Sequence, residues 1–140
     1  ESLLATRRLP DRLVLMLQKE SVDRYLAKHG TKNYGALSIF LSSSYLSIDT
    51  HPVSRRCFYP APIVDSVLIR MDRRPEPFLF AAETRTLIRR LFTRRRKQLG
   101  TLAKAEETKI HDRIQNWLHR EKLSPELRPE QVGAEIWQSL

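Results

Sequence analysis

The sequence has 140 residues, 41% hydrophobic and 29% charged, with a net charge of +9, which suits one or two small folded domains and excludes a disordered chain. No apolar run approaches the roughly 20 residues of a membrane span, residues 1–12 lack the apolar segment of a signal peptide, and the single cysteine, Cys57, fits a cytoplasmic location without disulfides. The excess of Lys and Arg indicates an anionic partner, most often nucleic acid and less often a membrane surface.

The first elements alternate between strand and helix. Residues 1–9 have the pattern of the end of a helix. The short apolar run 12–17 predicts a strand buried on both faces, as in parallel sheets. A helix is predicted over 21–30, with Ser21 as its N-cap and Gly30 at its end.

A second helix and two more strands follow along the chain. The helix is predicted over 34–46, and its wetter side is expected to carry Ser38, Ser42 and Ser43. Strands are predicted over 47–53 and 65–72. The loop 58–64 between them contains two prolines, which fix φ and extend the preceding residues, so we expect a stiff loop.

After these strands the sequence indicates helices alone. We place a domain boundary in the proline-bearing segment 73–78, so that residues 1–75 form an α/β part and residues 76–140 a helical domain. The helices are predicted over 83–97, 98–105, 108–121 and 129–140. The chain is therefore expected to combine an α/β fold with a small all-helical domain.

The helix predicted over 83–97 has a strongly basic face. No acidic residue lies between Glu83 and Glu106, so its cations have no (i, i+4) partner within the helix. A solvated outer face is one explanation, but the missing partners favour a surface for RNA or DNA phosphates formed by Arg89, Arg90, Arg94, Arg96 and Lys97. Arg95 alone falls in the apolar stripe, and we expect an acidic group or a helix C-terminus to face it across the domain contact.

No catalytic or metal-binding pattern stands out in the sequence. The four histidines and Cys57 lack the spacing of metal ligands. The serine run 42–44 lacks the glycines of a nucleophile elbow, and the four glycines form no phosphate-binding loop. The residues by themselves therefore predict a binding surface, with neither a catalytic nor a metal site in this chain.

Four segments occur in the order of one family's motifs: LQKE (17–20), YGALS (34–38), FYPAPIVDSV (58–67) and FTRRRKQL (92–99). Together they resemble the small-subunit ribosomal RNA adenine dimethyltransferases. The ending RPEQVGAEIWQSL also resembles the family's closing helix. The resemblance covers only the second half of the family's pattern.

The resemblance implies the carboxyl-terminal half of a Rossmann-like methyltransferase domain followed by a helical domain. The family's enzymes use S-adenosylmethionine to dimethylate two adjacent adenosines of small-subunit rRNA in ribosome biogenesis. The glycine-rich cofactor turn, the acidic ribose-binding residue and the Asn-Leu-Pro-Tyr motif belong to the other half. We therefore expect an RNA-facing part that alone binds no cofactor and is inactive, with rRNA or the small ribosomal subunit as partner. In the family's sheet the final strand lies antiparallel between its neighbours, and our three predicted strands are expected to do the same.

The resemblance also assigns roles in the proline loop. Phe58 matches the phenylalanine that lies beside the target base, and Tyr59 is the alternative stacking residue. Ile63 stands where the family usually has lysine. Arg55 and Arg56 are candidates for supplying the missing positive charge to RNA.

Two expectations concern the first strand. Gln18, Lys19 and Glu20 would lie at its carboxyl end, where ligands of α/β sheets usually bind. If a neighbouring strand is missing, the edge of 12–17 is apolar and unpaired, and we expect self-association through it or a further segment that covers it.

A non-catalytic RNA- or DNA-binding module that reuses this fold, such as a ribosome-assembly or transcription accessory factor, is the alternative function. A cofactor motif upstream in the native gene favours the enzyme, and its absence favours the module. A plain helix-turn-helix protein explains neither the proline loop nor the strands.

Overall fold

The computed structural model describes residues 9–140, so the helix end expected over 1–9 falls almost wholly outside the described residues. Within them the strands are β1 (Arg12–Gln18), β2 (Tyr45–Val53) and β3 (Ser66–Arg73). The α-helices are α1 (Lys19–Tyr25), α2 (Ala36–Ser44), α3 (Ala82–Thr93), α4 (Leu99–Lys104) and α5 (Thr108–Arg120). Short 3-10 turns cover Arg55–Cys57, Pro129–Gln131 and Ile136–Ser139.

The three strands form one sheet in the order β1-β3-β2, and β3 runs antiparallel to both neighbours. This confirms the expected position of the final strand between the other two. Ser66, at the start of β3, pairs with Gln18 on one side and with Val53 on the other. The carboxyl ends of β1 and β2 therefore lie at the same edge of the sheet, beside the start of β3.

Strand β1 is not buried on both faces, so that prediction was wrong. Leu13 pairs with Met71, and both side chains are buried in the core. Val14 and Met16 point the other way and are 60% and 51% exposed. A continuous apolar run means that both faces of a strand carry apolar side chains. Whether other elements pack on each face depends on the tertiary structure.

Helix α1 begins and ends earlier than the sequence predicted. It starts at Lys19, directly after the last residue of β1, so Ser21 lies inside the helix and is not its N-cap. It ends at Tyr25, five residues before Gly30, which has a φ of +80° in the following turn. Ion pairs between residues four apart, such as Lys19 with Asp23, stabilise the first turns without a capping side chain.

The serines of α2 were wrongly placed on a wet side. Ser38 and Ser43 are 2% and 3% exposed, and only Ser42 is half-buried. The buried hydroxyls have partners elsewhere in the chain: Ser38 Oγ donates to the carbonyl of Arg24, and Gln138 donates to Ser43 Oγ. Such long-range partners leave no mark on the local pattern.

The last helical prediction was also wrong. Residues 129–140 form two 3-10 turns, and no α-helix spans them. The side chain of Trp137, in the second turn, is fully buried and stacks on Trp117 of α5 with ring centroids 4.9 Å apart. Burial of this indole outweighs the weak local preference for a continuous helix.

A row of aromatic rings continues the core from the sheet side into the helices. Tyr34, just before α2, meets the ring of Phe92 in α3 edge-on at 6.0 Å. Phe92 in turn lies 5.7 Å from Trp137. These contacts fix the end of α3, and with it the basic residues that follow Phe92, against the segment that joins α1 to α2.

Candidate nucleic-acid interface

The loop between β2 and β3 projects from the edge where β1 and β2 end. Its two ends are held together because the Arg55 amide donates to the Asp65 carboxylate at 3.2 Å and the Arg55 guanidinium donates to the Ile63 carbonyl at 3.2 Å. Ser54 Oγ accepts from the Arg56 amide and starts the 3-10 turn. The basic side chains of Arg55 and Arg56 remain exposed on this closed loop.

The two predicted stacking residues differ in exposure. Tyr59 is fully exposed at the tip of the loop, and Phe58 is half-buried. The peptide bond between Tyr59 and Pro60 is cis. Because its side chain is fully exposed, the phenol ring of Tyr59 is available to a base, whereas only part of the Phe58 ring is.

The start of α1 lies next to this loop, as expected for the residues that follow β1. The Lys19 amide donates to the Asp65 carbonyl at 3.0 Å, which ties the first residue of α1 to the end of the loop. Glu20 and Arg24 form an ion pair of 2.5 Å along the outer face of α1. The carboxyl end of β1 is therefore occupied by charged side chains that are already paired among themselves.

Helix α3 ends at Thr93. The prediction of a helix over 83–97 was therefore wrong for the cations at 94–97, which lie beyond its end. They form a turn, here called the basic turn (residues 94–97), in which the Lys97 amide donates to the Arg94 carbonyl at 2.8 Å. The side chains of Arg94, Arg96 and Lys97 are exposed, and within residues 9–140 no acidic side chain pairs with them. Three cations without acidic partners in a short turn can contact adjacent phosphates of one nucleic-acid strand.

Arg89 and Arg90, on the last turns of α3, already have partners. The guanidinium of Arg89 lies 5.6 Å from the ring centroid of Phe40. Arg90 pairs with the largely buried Glu106 at 2.6 Å. The sequence placed both with the phosphate ligands, and the pairing with Glu106 reduces the charge that Arg90 offers to RNA.

Arg95 points away from its three exposed neighbours. Its Nη1 donates to the carbonyls of Lys32 at 2.7 Å and Tyr34 at 3.2 Å, and its Nε lies 3.4 Å from a carboxylate oxygen of Glu130. The side chain is 33% exposed. Arg95 therefore links the basic turn to the segment between α1 and α2 and to the Pro129–Gln131 turn.

A polar cleft of about 440 Å³ separates α1 from the basic turn. It is lined by Glu20, Arg24, Lys32, Asn33, Tyr34, Gly35, Phe92 and Arg95. Sequence reasoning missed Arg24 and Lys32 as part of this surface, although the (i, i+4) spacing of Glu20 and Arg24 was a signal for a charged outer face of α1. The loop, α1, the cleft and the basic turn thus follow one another across one side of the molecule.

Tyr34, at the bottom of this cleft, is a structural group. Burial, with the nearby charge of Glu135 as a smaller cause, raises the pKa of its phenol well above the ordinary range of tyrosine. The protonated hydroxyl donates to the Val132 carbonyl at 3.0 Å. Tyr34 therefore holds two parts of the chain together and does not act as a base near pH 7.

Residues 9–140 contain no group of His, Cys, Asp or Glu side chains that could hold a metal ion. Over the same residues no helix is long and apolar enough to cross a bilayer.

Helix α1 begins directly after β1, and the four glycines are dispersed along the chain. No glycine-rich turn follows β1 within residues 9–140, so these residues do not by themselves fit S-adenosylmethionine.

Comparison with known proteins matches nearly the whole sequence. A family model described as ribosomal RNA adenine dimethylase matches residues 2–133. The ribosomal RNA small subunit methyltransferase A of Opitutus terrae is 44% identical over 135 residues, which cover 94% of this chain and 48% of that protein. The protein of the same name from Streptococcus pneumoniae is 38% identical over 136 residues, covering 91% of this chain and 46% of the relative. The chain thus spans about half the length of these curated relatives.

Two solved structures have a similar fold. The crystal structure of a dimethyladenosine transferase from Plasmodium falciparum superposes with a TM-score of 0.73 at 26% identity, over 99% of this chain and 59% of that one. The 23S rRNA methyltransferase ErmE superposes with a TM-score of 0.56 at 21% identity, over 97% of this chain and 55% of that one, which shows the fold alone. The predicted α/β character, a small sheet with helices, is confirmed at that level.

Proposed function

The chain belongs to the ribosomal RNA adenine dimethylase family, and from that membership we propose that it forms the rRNA-facing part of a small-subunit rRNA adenine dimethyltransferase. The intact enzyme dimethylates two adjacent adenosines of small-subunit rRNA, with S-adenosylmethionine as methyl donor, during ribosome biogenesis in the cytoplasm. Its partner is small-subunit rRNA or the small ribosomal subunit.

We assign different roles to the two parts of the chain, in the order of their secondary-structure elements. Residues 1–75 form the carboxyl-terminal half of a Rossmann-like methyltransferase domain and present the proline loop. Residues 76–140 form a helical RNA-binding domain and present the basic turn. All three strands of the described residues end by Arg73, and only helices and turns follow from Ala82, which supports this division.

The observation that carries the proposal is the loop at the shared carboxyl edge of β1 and β2. It offers a fully exposed Tyr59, a half-exposed Phe58 and two exposed arginines at one place. Enzymes that modify a base take it out of its stack and hold it against aromatic faces. Arginines beside such a face neutralise the phosphates on either side of the extruded nucleotide.

The basic turn contributes affinity for the RNA backbone but does not recognise the base sequence. Arg94, Arg96 and Lys97 are exposed, and contacts to phosphate release counterions whatever the base sequence. Selection of the target adenosines therefore depends on how the RNA is held between the basic turn and the loop.

The proposal is tested in the intact enzyme by methylation of small-subunit rRNA, comparing Phe58→Ala, Tyr59→Ala and Tyr59→Phe. Stacking on an aromatic side chain contributes about 1–3 kcal/mol per base, so loss of the stacking ring lowers methylation about five- to 150-fold. Tyr59→Phe keeps the ring and serves as the matched control. Full methylation by both alanine variants would remove the stacking role. An intact protein that binds rRNA but never methylates it would favour a non-catalytic module.

A further inference from the structure

Arg95 differs from the other cations of the basic turn in where its side chain goes. Arg94, Arg96 and Lys97 extend into solvent. The Arg95 guanidinium instead donates to two carbonyls, those of Lys32 and Tyr34, at 2.7 and 3.2 Å. These contacts involve Nη1 and Nε, so three of the five guanidinium N–H donors of Arg95 are directed to acceptors within the protein.

Glu130 completes the contact from the other side. Its carboxylate lies 3.4 Å from Arg95 Nε and is 24% exposed, and its main-chain carbonyl accepts from the Gly30 amide at 2.6 Å. Arg95 and Glu130 therefore hold the same short segment, residues 30–34, through side-chain and main-chain bonds. Hydrogen bonds that involve a charged partner are roughly twice as strong as neutral ones, and the guanidinium fork also fixes an orientation.

The segment 30–34 is connected to the proline loop through residues 26–29 and α1. It follows α1, and the first residue of α1, Lys19, donates its amide to the Asp65 carbonyl at the end of that loop. Hydrogen bonds thus join the basic turn to the segment 30–34 and the start of α1 to the loop that carries Tyr59, and the chain from 19 to 30 connects these two contacts. Such a connection constrains the distance between the basic turn and the proline loop.

We propose that Arg95 is a positioning residue, which fixes the basic turn relative to the proline loop so that RNA held at the turn presents its target nucleotide to Phe58 and Tyr59. This inference rests on the proposed function. Arg95 touches neither the RNA nor the reacting atoms. It acts through Arg94, Arg96 and Lys97, whose phosphate contacts are useful for methylation only when the turn has one orientation.

The test uses the intact enzyme with its rRNA substrate and compares Arg95→Ala with Arg94→Ala. We expect Arg95→Ala to lower kcat about ten- to a hundredfold, since a displacement of about 1 Å can cost that much, while the salt dependence of RNA binding stays unchanged. Arg94→Ala acts on binding: KM for RNA rises and the slope of log Kd against log salt falls by about one unit. Lys104→Ala, an exposed cation of α4 outside both surfaces, is the neutral control.

Two milder variants separate positioning from loss of folding. Arg95→Lys keeps the charge but cannot bind both carbonyls with a planar fork, so kcat is restored only in part. Glu130→Gln keeps the main-chain bond to Gly30 and removes the carboxylate. It should lower kcat in the same direction, and its effect should not add to that of Arg95→Ala, because both changes break one linkage. Thermal unfolding of each variant checks that the fold is intact.

Three results would overturn the inference. A fall in salt slope for Arg95→Ala equal to that for Arg94→Ala would make Arg95 a phosphate ligand. A kcat equal to that of the parent enzyme would remove its positioning role, and so would fully additive effects of the Arg95 and Glu130 changes. Failure of the proposed function looks different, because then the parent enzyme itself does not methylate rRNA.

Discussion

The hydroxyl of Ser38, in the first turn of α2, donates a 2.6 Å hydrogen bond to the carbonyl of Arg24 at the end of α1. The same oxygen accepts from the Gly35 amide at 3.1 Å, and the residue is 2% exposed. One buried side chain therefore closes the connection between α1, which lines the candidate interface, and α2.

Ser38→Ala is expected to lower the free energy of unfolding by about 1–3 kcal/mol. The change leaves the half-buried Gly35 amide without its acceptor and removes one of the donors to the Arg24 carbonyl, which still accepts from the Ala27 amide at 3.4 Å. Ser42→Ala is the matched control, because Ser42 is half-buried and its hydroxyl donates within its own helix, to the Ile39 carbonyl. Urea unfolding measures both. Equal midpoints for the two variants would contradict the role of the Ser38 bonds.

Gly100→Ala tests a close approach between α4 and the segment before the Pro129–Gln131 turn. An added Cβ would lie 2.9 Å from Pro125 Cβ and 3.2 Å from the Pro125 carbonyl, which accepts from the Gly100 amide. Helix propensity alone predicts a gain of up to about 1 kcal/mol, whereas overpacking predicts a loss of about 1–3 kcal/mol. We expect the loss, measured as a lower urea midpoint. Thr101→Ala, at an exposed position of the same helix, should be neutral or slightly stabilising.

Asp72 on β3 gives a pH-dependent contribution to stability. Hydrogen bonds from Arg12 and Arg70 hold the pKa of its carboxyl well below the usual range. A carboxyl whose pKa is lower in the folded state stabilises the fold fully above its unfolded pKa of about 4, and the stabilisation is lost as the pH falls through the folded pKa. Asp72→Asn should therefore reduce stability at pH 7 and make progressively less difference below about pH 4.

Unfolding measured between pH 2 and pH 7, at low and at high salt, tests this expectation for Asp72. Its carboxylate is partly exposed, so salt should shrink the difference between the parent chain and the Asn variant. A difference that stays constant across the whole pH range would show that the amide changes packing and not charge.

Replacing Arg94, Arg96 and Lys97 together with Ala should weaken RNA binding and flatten its salt dependence. Each lost phosphate contact reduces the slope of log Kd against log salt by about one unit. Fluorescence anisotropy with a labelled rRNA hairpin, titrated at several salt concentrations, gives the slope. An unaltered slope would mean that the basic turn is only a solvated surface.

The outer edge of β1 is expected to mediate self-association of the chain. Among residues 9–140, no strand pairs with that edge, and the side chains of Val14 and Met16 are exposed beside it. Unpaired, apolar edges recruit other strands, and charged side chains suppress this. Light scattering should find oligomers of the chain and a monomer for the variant that carries Val14→Lys and Met16→Lys. A monomeric parent chain with nothing covering the edge would contradict the expectation.

Local sequence patterns predicted which segments form strands and helices better than they predicted which side chains are buried. The apolar run 12–17 and the segment 65–72 became strands, because alternating or continuous hydrophobicity over that length is a backbone-level signal. The helix predicted over 129–140 failed, since the burial of Trp137 against Trp117 depends on residues twenty positions away. The prediction that Ser38 lies on the solvent-exposed side of its helix failed for the same reason, because its partner, the Arg24 carbonyl, lies fourteen positions away.

The candidate interface was likewise predicted only in part from the sequence. By itself the sequence determined its chemistry: an aromatic in a stiff proline loop, a run of cations without nearby acids, and the order of motifs that identifies the family. Only the tertiary structure decided that Tyr59 is the exposed ring, that Arg90 is paired with Glu106, and that Arg95 turns back to Lys32, Tyr34 and Glu130. Composition and spacing determine which groups a chain can offer, but solvent exposure and ion pairing depend on contacts between distant segments, which form only when the core packs.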